Sequence, residues 1–368
     1  MIPAHIHRYS LYSQEAQAHM KTLITARFDR AKLPLLETIT RDYSFAGYGV
    51  TGIKMPVSEM KEAIKGVELL ITEFEDITEE VIDAADRLKI IVCCRNEAFA
   101  SIDIAAATKK RIPVLRAGGR NAIAVAEHTI ALLMCVSKNI SLTDHLLKHT
   151  DQLTGKTYHD DGDRRAATMS EWSMDPDAPF ALYGGGPEMY GKTFGQIGYG
   201  AIGRQVAKRA YGLDMELLIY DPYVEQAEMD AVHGKKVDLD TLMRQSDFIS
   251  INCNVVPETV GLISREKIAL MKPTAYLVNT ARAKILDYDA LYDALKEKKI
   301  AGAGLDVYPV EPLPADSKLL TLTNIVLTPH LAGSARDIVG HQTEITLADV
   351  KKLLAHERPK FICNPEVL

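Results

Sequence analysis

Three short motifs in the last quarter of the chain carry side chains suited to proton transfer beside an anion. They are VNTARAKILD with Arg282, LDVYPVEPLP with Asp306 and Glu311, and TPHLAGS with His330. A guanidinium presents a planar fork of donors that matches a carboxylate. An imidazole, with an ordinary pKa of about 6.5, gives up or accepts a proton near neutrality. Taken singly, each residue has an ordinary reading: Arg282 a solvated charge at a helix start, Glu311 a loop carboxylate, His330 a structural histidine after Pro329. Their placement argues for more. Each motif ends a short apolar run that reads as a strand, and ligands of open α/β sheets bind at strand C-termini.

Upstream lies a second kind of site. Phe194 to Arg204 reads FGQIGYGAIGR and contains Gly198-x-Gly200-x-x-Gly203 between an apolar strand and a helical pattern. Gly198 permits a tight turn, Gly200 lets a pyrophosphate approach the backbone, and Gly203 lets helix and strand pack closely. The amides of Ala201 and Ile202 then face the phosphates from a helix N-terminus. A glycine-rich turn alone is weak evidence. Asp221, 23 positions after Gly198 and at the end of the next strand LLIYD, strengthens it, because an acid there can accept both ribose hydroxyls of an adenosine. DPYVEQ offers no Arg or Lys for a 2′-phosphate, so the cofactor expected is NAD and not NADP.

The elements needed to position these residues are legible as a rhythm. LITA, VELLITE and LKIIVCC read as buried parallel strands, with VSEMKEAI and EEVIDAA as the helices between them. A second run passes through TFGQIG, LLIYD, DFISIN, TAYLVNT, AGAGLDV and IVLTPH, and a last helix covers roughly 335–356. Strand–helix repetition of this kind implies parallel sheets with right-handed crossovers. Residues 121–149 contain no Gly or Pro and predict one long helix of roughly 40 Å. The poorly patterned segment 150–190 then reads as a functional loop or an interface arm.

Composition narrows the function classes. With 368 residues, roughly two domains are expected. A net charge of −6 argues against a nucleic-acid-wrapping chain. No run of 18 uncharged apolar residues occurs, so no membrane partner is expected. Five cysteines without a CxxC pair argue against a disulfide framework or a metal site and for a reducing, cytoplasmic setting. Residues 1–19 show no signal-peptide core and read as an extension, or as sequence upstream of a start at Met20.

Together the motifs resemble the D-isomer-specific 2-hydroxyacid dehydrogenase family, phosphoglycerate dehydrogenase-like, over roughly residues 67–365. The resemblance also rests on IDIAAATKKRIPVL, GGRNAIAVAEHTIALLM, YGKTFGQIGYGAIGR and SDFISINCNVVPETVGLI. It implies NAD-dependent interconversion of a 2-keto acid and a D-2-hydroxy acid. Arg282 would pair the substrate carboxylate, His330 would be the proton donor in reduction, and Glu311 would hold its other ring nitrogen. Asp306, Thr280, Ala281 and Gly333 match positions that line the nicotinamide and its ribose. Co-repressors built on the same fold sense NAD(H) with the same three residues, so an NAD(H)-sensing binding protein is the alternative.

The resemblance further implies two doubly wound parallel-sheet domains, Rossmann-like and flavodoxin-like, with the active site in the cleft between them. Residues 1–121 and 333–368 would form the substrate domain, and 122–332 the NAD-binding domain. The helix and arm of 121–190 would build a homodimer interface. Departures from the family pattern are informative. Ala283 replaces a glycine, which should matter little if the backbone there is not left-handed. Asn252 and Asn254 stand where His and Pro are commoner, in a loop that in the family covers the adenine, so an effect on affinity and not on chemistry is expected. CCRNEAFASID has no glycine where the family has a glycine-rich carboxylate-binding turn. Arg95 and Asn96 are therefore candidate substrate-binding residues, with Arg95 meeting a second anionic group and Arg116 and Arg120 lending weak support. An intra-loop pair of Arg95 with Glu97 is the structural alternative.

Overall fold

Two parallel sheets organise the chain. A computed structural model describes residues 19–150, 153 and 179–368. The chain divides into two compact units, one formed by the sequence up to Asn121 with Ala335–Leu368, the other by Ala122–Ser334.

The first unit holds five strands: β1 (Thr22–Ile24), β2 (Tyr43–Phe45), β3 (Leu69–Thr72), β4 (Ile90–Cys93) and β5 (Val114–Arg116). Their order is β2-β1-β3-β4-β5, all pairs parallel, with the switch in direction of winding between β1 and β3. β3 and β4 are buried at every position, as continuous apolar runs should be when helices cover both faces. Met20, directly before the first apolar rhythm, is buried in the same core as Ile24 and Ile71. β2 and β5 escape the sequence reading: β2 (YSF) is only partly buried and carries no apolar run, and β5 keeps just Val114 and Leu115 before Arg116.

The second unit holds seven parallel strands: β6 (Thr193–Ile197), β7 (Glu216–Tyr220), β8 (Lys235–Lys236), β9 (Phe248–Ile251), β10 (Tyr276–Asn279), β11 (Gly302–Leu305) and β12 (Ile325–Leu327). Their order, β12-β11-β10-β9-β6-β7-β8, puts the switch point between β6 and β9. Aspartates start several of the intervening helices. Asp238 accepts from the Thr241 amide at 2.9 Å and Asp287 from the Ala290 amide at 2.9 Å. Each satisfies a donor that the helix leaves without a partner.

One expectation is corrected. Residues 121–149 form two helices, Ala122–Ser137 and Ile140–His149, bent by 65°. The break is Asn139, in the left-handed region at φ 54°, with its side chain donating to the Tyr183 carbonyl at 2.9 Å. Asparagine is among the few non-glycine residues that occupy this conformation readily, so a break needs neither Gly nor Pro. No single helix among the described residues is long and apolar enough to cross a membrane. Most of the 150–190 segment lies outside the described residues, as do positions 1–18.

Candidate active site

The glycine-rich turn leaves β6 at the switch point. Gly198 has φ +88°, and a Cβ there would lie 2.8 Å from the Cys253 backbone after β9. Only glycine meets both demands. A Cβ on Gly203 would stand 2.1 Å from the Gly198 carbonyl oxygen, so this glycine sets the close approach of strand and helix. A Cβ on Gly200 meets nothing within 4 Å, which leaves open space above the turn. Gly200 precedes the helix Ala201–Tyr211, so Ala201 and Ile202 are its first residues and their amides have no partner within the helix. Asp221, after β7, is held by two amides: Oδ2 accepts from Tyr199 at 2.8 Å and Oδ1 from Tyr223 at 2.9 Å. Its remaining lone pairs stay available in a fixed direction. Open space at Gly200, free helix-start amides and a fixed acid fit a dinucleotide.

Arg282, Glu311 and His330 lie beyond the C-terminal ends of β10, β11 and β12. His330 Nδ1 is 2.7 Å from Glu311 Oε2, while Glu311 Oε1 accepts from the Tyr308 amide at 2.9 Å. The carboxylate is thus fixed from behind and holds one ring nitrogen, leaving Nε2 as the nitrogen for proton exchange. Partial burial pushes the Glu311 carboxyl up, but hydrogen bonds from His330 and the Tyr308 amide, with the charges of His330 and Arg282, hold it below its ordinary range. Arg282 follows β10, is exposed, and sends one guanidinium N–H to the Ala281 carbonyl at 2.7 Å. Ala283 has no positive φ and begins a short 3₁₀ turn, so replacing the family's glycine costs nothing there.

Other expected residues fall into place differently. Thr280 and Ala281 are buried, and Gly333 is half-buried. Asp306 is fully buried; Oδ1 accepts from the Thr328 hydroxyl at 2.6 Å and the Leu331 amide at 2.8 Å, and Oδ2 from the Ala332 amide at 2.8 Å. It therefore ties down the loop that carries His330. Asn252 is buried, with its Nδ2 donating to the Thr280 hydroxyl at 3.2 Å. Its side chain thus supports the loop before Arg282.

In the first unit, the loop after β4 shows which residues are committed. Asn96 donates to Asn121 Oδ1 at 2.9 Å and accepts from the Gly119 amide at 2.8 Å, so its side chain latches the loop. Arg116 donates to the Asn96 carbonyl at 3.0 Å, and Arg120 to Glu73 at 2.7 Å. The support expected from these two arginines for an anion site is therefore withdrawn. Glu73, buried after β3, also takes Arg27 in a two-point pair at 2.6 and 3.0 Å. This clamp of two arginines on one acid is absent from the sequence reading, since its members lie 46 and 47 positions apart. Arg95 differs from its neighbours. Its guanidinium lies 5.1 Å from the Phe74 ring centroid, and among the described residues no carboxylate lies within ion-pair distance of it. Among the described residues no group of three or more His, Cys, Asp or Glu could hold a metal.

A doubly wound unit with a glycine-rich turn, a fixed acid after the next strand and an Arg/Glu/His set fits the class of proteins that bind a nicotinamide dinucleotide. Residues 164–332 match the family described as D-isomer specific 2-hydroxyacid dehydrogenase, NAD binding domain. A glyoxylate reductase of Thermofilum pendens is 37% identical over 84% of this chain and 85% of its own length. A D-3-phosphoglycerate dehydrogenase of Methanocaldococcus jannaschii is 35% identical over 83% of this chain, which spans 53% of that protein. The NAD-complexed D-isomer specific 2-hydroxyacid dehydrogenase of Lactobacillus delbrueckii ssp. bulgaricus shares the fold, with TM-score 0.72, 22% identity, and coverage of 94% of this chain and 100% of that one. The chain belongs to the D-isomer-specific 2-hydroxyacid dehydrogenase family. It is an oxidoreductase of CH–OH donors whose cofactor is NAD.

Proposed function

We propose that the protein reduces a 2-keto acid to the D-2-hydroxy acid, and catalyses the reverse, with Arg282, Glu311 and His330 as its working residues. The observation that carries this reading is the 2.7 Å contact of His330 Nδ1 with an acid that is itself fixed by the Tyr308 amide. It leaves Nε2 as the donor to the keto oxygen in reduction and the acceptor of the hydroxyl proton in oxidation. Arg282 holds the substrate carboxylate and polarises the neighbouring oxygen. The bound cofactor supplies hydride transfer at nicotinamide C4. Glu311, ionised through the neutral range, favours the imidazolium that reduction consumes.

Three finer features complete the proposal. Asp221 selects NAD over NADP, because a carboxylate in that place repels a 2′-phosphate. Arg95 receives a second anionic group, phosphate or carboxylate, of a dianionic substrate: it follows the C-terminal end of β4, and among the described residues no carboxylate lies within ion-pair distance of it. A second copy of the chain covers the apolar side chains Ile140, Leu147, Phe180 and Leu182, each about half-exposed or more, giving a homodimer. The five free thiols support a reducing, cytoplasmic setting.

The test is a panel of phosphorylated and unphosphorylated 2-keto acids followed by NADH absorbance, with His330→Ala as control. Turnover of at least one acid is expected, lowered about 10²–10⁴-fold in the control with NADH affinity unchanged. Absence of turnover across the panel, with NADH bound, would favour a sensing role. Unaltered turnover by the control would remove His330 from the mechanism.

A further inference from the structure

Arg282 and His330 each sit two residues after a threonine, Thr280 and Thr328. The hydroxyls of these threonines meet adjacent residues of one helix, Ala122–Ser137. Thr129 Oγ1 lies 2.8 Å from Thr280 Oγ1, and His128 Nε2 lies 3.0 Å from Thr328 Oγ1. The helix approaches this closely because β11 is glycine-rich. A Cβ on Gly302 would stand 2.9 Å from Val136, and one on Gly304 would stand 3.0 Å from Leu132.

Proton counting fixes the direction of both contacts. The Thr328 hydroxyl has one proton and gives it to Asp306 at 2.6 Å, so the His128 contact needs Nε2–H as donor. The chain then runs from His128 to Thr328 to Asp306, whose oxygens hold the amides of Leu331 and Ala332 just after His330. On the other side, the Thr129 hydroxyl donates to the Val125 carbonyl at 2.7 Å, so Thr280 must donate to Thr129 while accepting from Asn252. His330 itself has φ +55°, a conformation that a non-glycine side chain keeps only when its surroundings impose it.

We propose that His128 and Thr129 are positioning residues, a shared brace that sets His330 and Arg282 in mutual register. His128 acts through Thr328 and Asp306, and Thr129 acts through Thr280. The proposal rests on Arg282 and His330 being the reacting pair, but its test includes a readout independent of turnover.

The experiment compares His128→Leu, His128→Gln, Thr129→Val and Thr129→Ser in the full chain, by steady-state kinetics and by hydrogen–deuterium exchange of segments 328–333 and 280–283. His128→Leu should lower kcat about tenfold or more, with KM for NADH within about twofold, because a small displacement of the proton donor suffices. Its exchange should rise in 328–333 and not in 280–283. His128→Gln, which restores an N–H at the same reach, should recover most of both. Thr129→Val should open 280–283 and not 328–333, with Thr129→Ser restoring it. Unchanged kcat and exchange in His128→Leu would overturn the brace, as would a Gln variant as impaired as the Leu one. Should His128→Leu not fold, Thr328→Val against Thr328→Ser makes the same comparison. A protein inactive on every acid whose exchange still follows this pattern would refute the proposed reaction and leave the brace standing.

Discussion

Glu311→Gln isolates the charge that stands behind the proton donor. The substitution keeps the side-chain length and an oxygen to accept from the Tyr308 amide, while removing the negative charge 2.7 Å from His330 Nδ1. Two unit charges about 4 Å apart are worth about 1 kcal/mol in water and about 4 kcal/mol at an effective dielectric of about 20. Here the His330 and Glu311 side chains are 46% and 35% exposed, so solvent screening places the pair near the lower end, about 1–2 kcal/mol. Reduction consumes the imidazolium, and a carboxylate held below its ordinary range stays charged through neutrality and favours that form. Without the charge that stabilisation is lost, and kcat/KM for reduction should fall about tenfold, since about 1.4 kcal/mol corresponds to a factor of ten. Because the pair is partly exposed, the difference between parent and variant should shrink as added salt screens it. The assay is initial rates at fixed pH over a range of ionic strength. A loss of rate independent of salt would refute the electrostatic argument and leave Glu311 an orienting group alone.

The other expectations concern affinity, stability and assembly. Asp221 should give a preference for NAD over NADP of about 30-fold or more in kcat/KM, from about 2–4 kcal/mol of repulsion and lost hydrogen bonding; Asp221→Asn should shrink it, and equal use of both cofactors by the parent would sink the assignment. Arg95→Ala should raise KM about 30-fold for a dianionic keto acid and much less for glyoxylate; equal effects on the two would make Arg95 a loop residue. Burial pushes the Glu73 carboxyl up, but hydrogen bonds and charges of Arg27 and Arg120 hold it net below its ordinary range. Its folded-state pKa is thus the lower one, so it adds stability above the ordinary carboxylate range, lost as pH falls through that range. Glu73→Gln should lower Tm at pH 7 and flatten its acid dependence; a Tm difference independent of pH would count against this linkage. Ile140→Asp with Leu147→Asp should convert a dimer to a monomer by light scattering, whereas a parent of monomer mass would remove the proposed interface.

The turn at Gly198, the acid at Asp221 and the motifs holding Arg282, Glu311 and His330 were legible because their chemistry is local. A left-handed glycine, a helix start and a strand end each leave a mark within a few residues, and buried parallel strands leave apolar runs. Those same marks read out the parallel α/β class and most of the strands. Tertiary structure alone decided what depends on residues distant in the chain. Glu73 reads as one more carboxylate after a strand until Arg27 and Arg120 close on it, and Arg120 reads as an anion-binding candidate until that clamp claims it. Asn252 reads as one more loop residue, and only the fold brings its amide to the Thr280 hydroxyl. His128 and Thr129 look like ordinary helix residues, since nothing in AEHTIALLM shows that the helix will press onto Gly302 and Gly304 and meet two hydroxyls 151 and 200 positions away. Even the break at Asn139 needed the structure, because a side chain that can occupy the left-handed region does so only where its contacts favour it. The sequence carries the candidate groups and their local turns because each is written within a few residues. Their alignment comes from packing and directed hydrogen bonds, which exist only once the chain is folded.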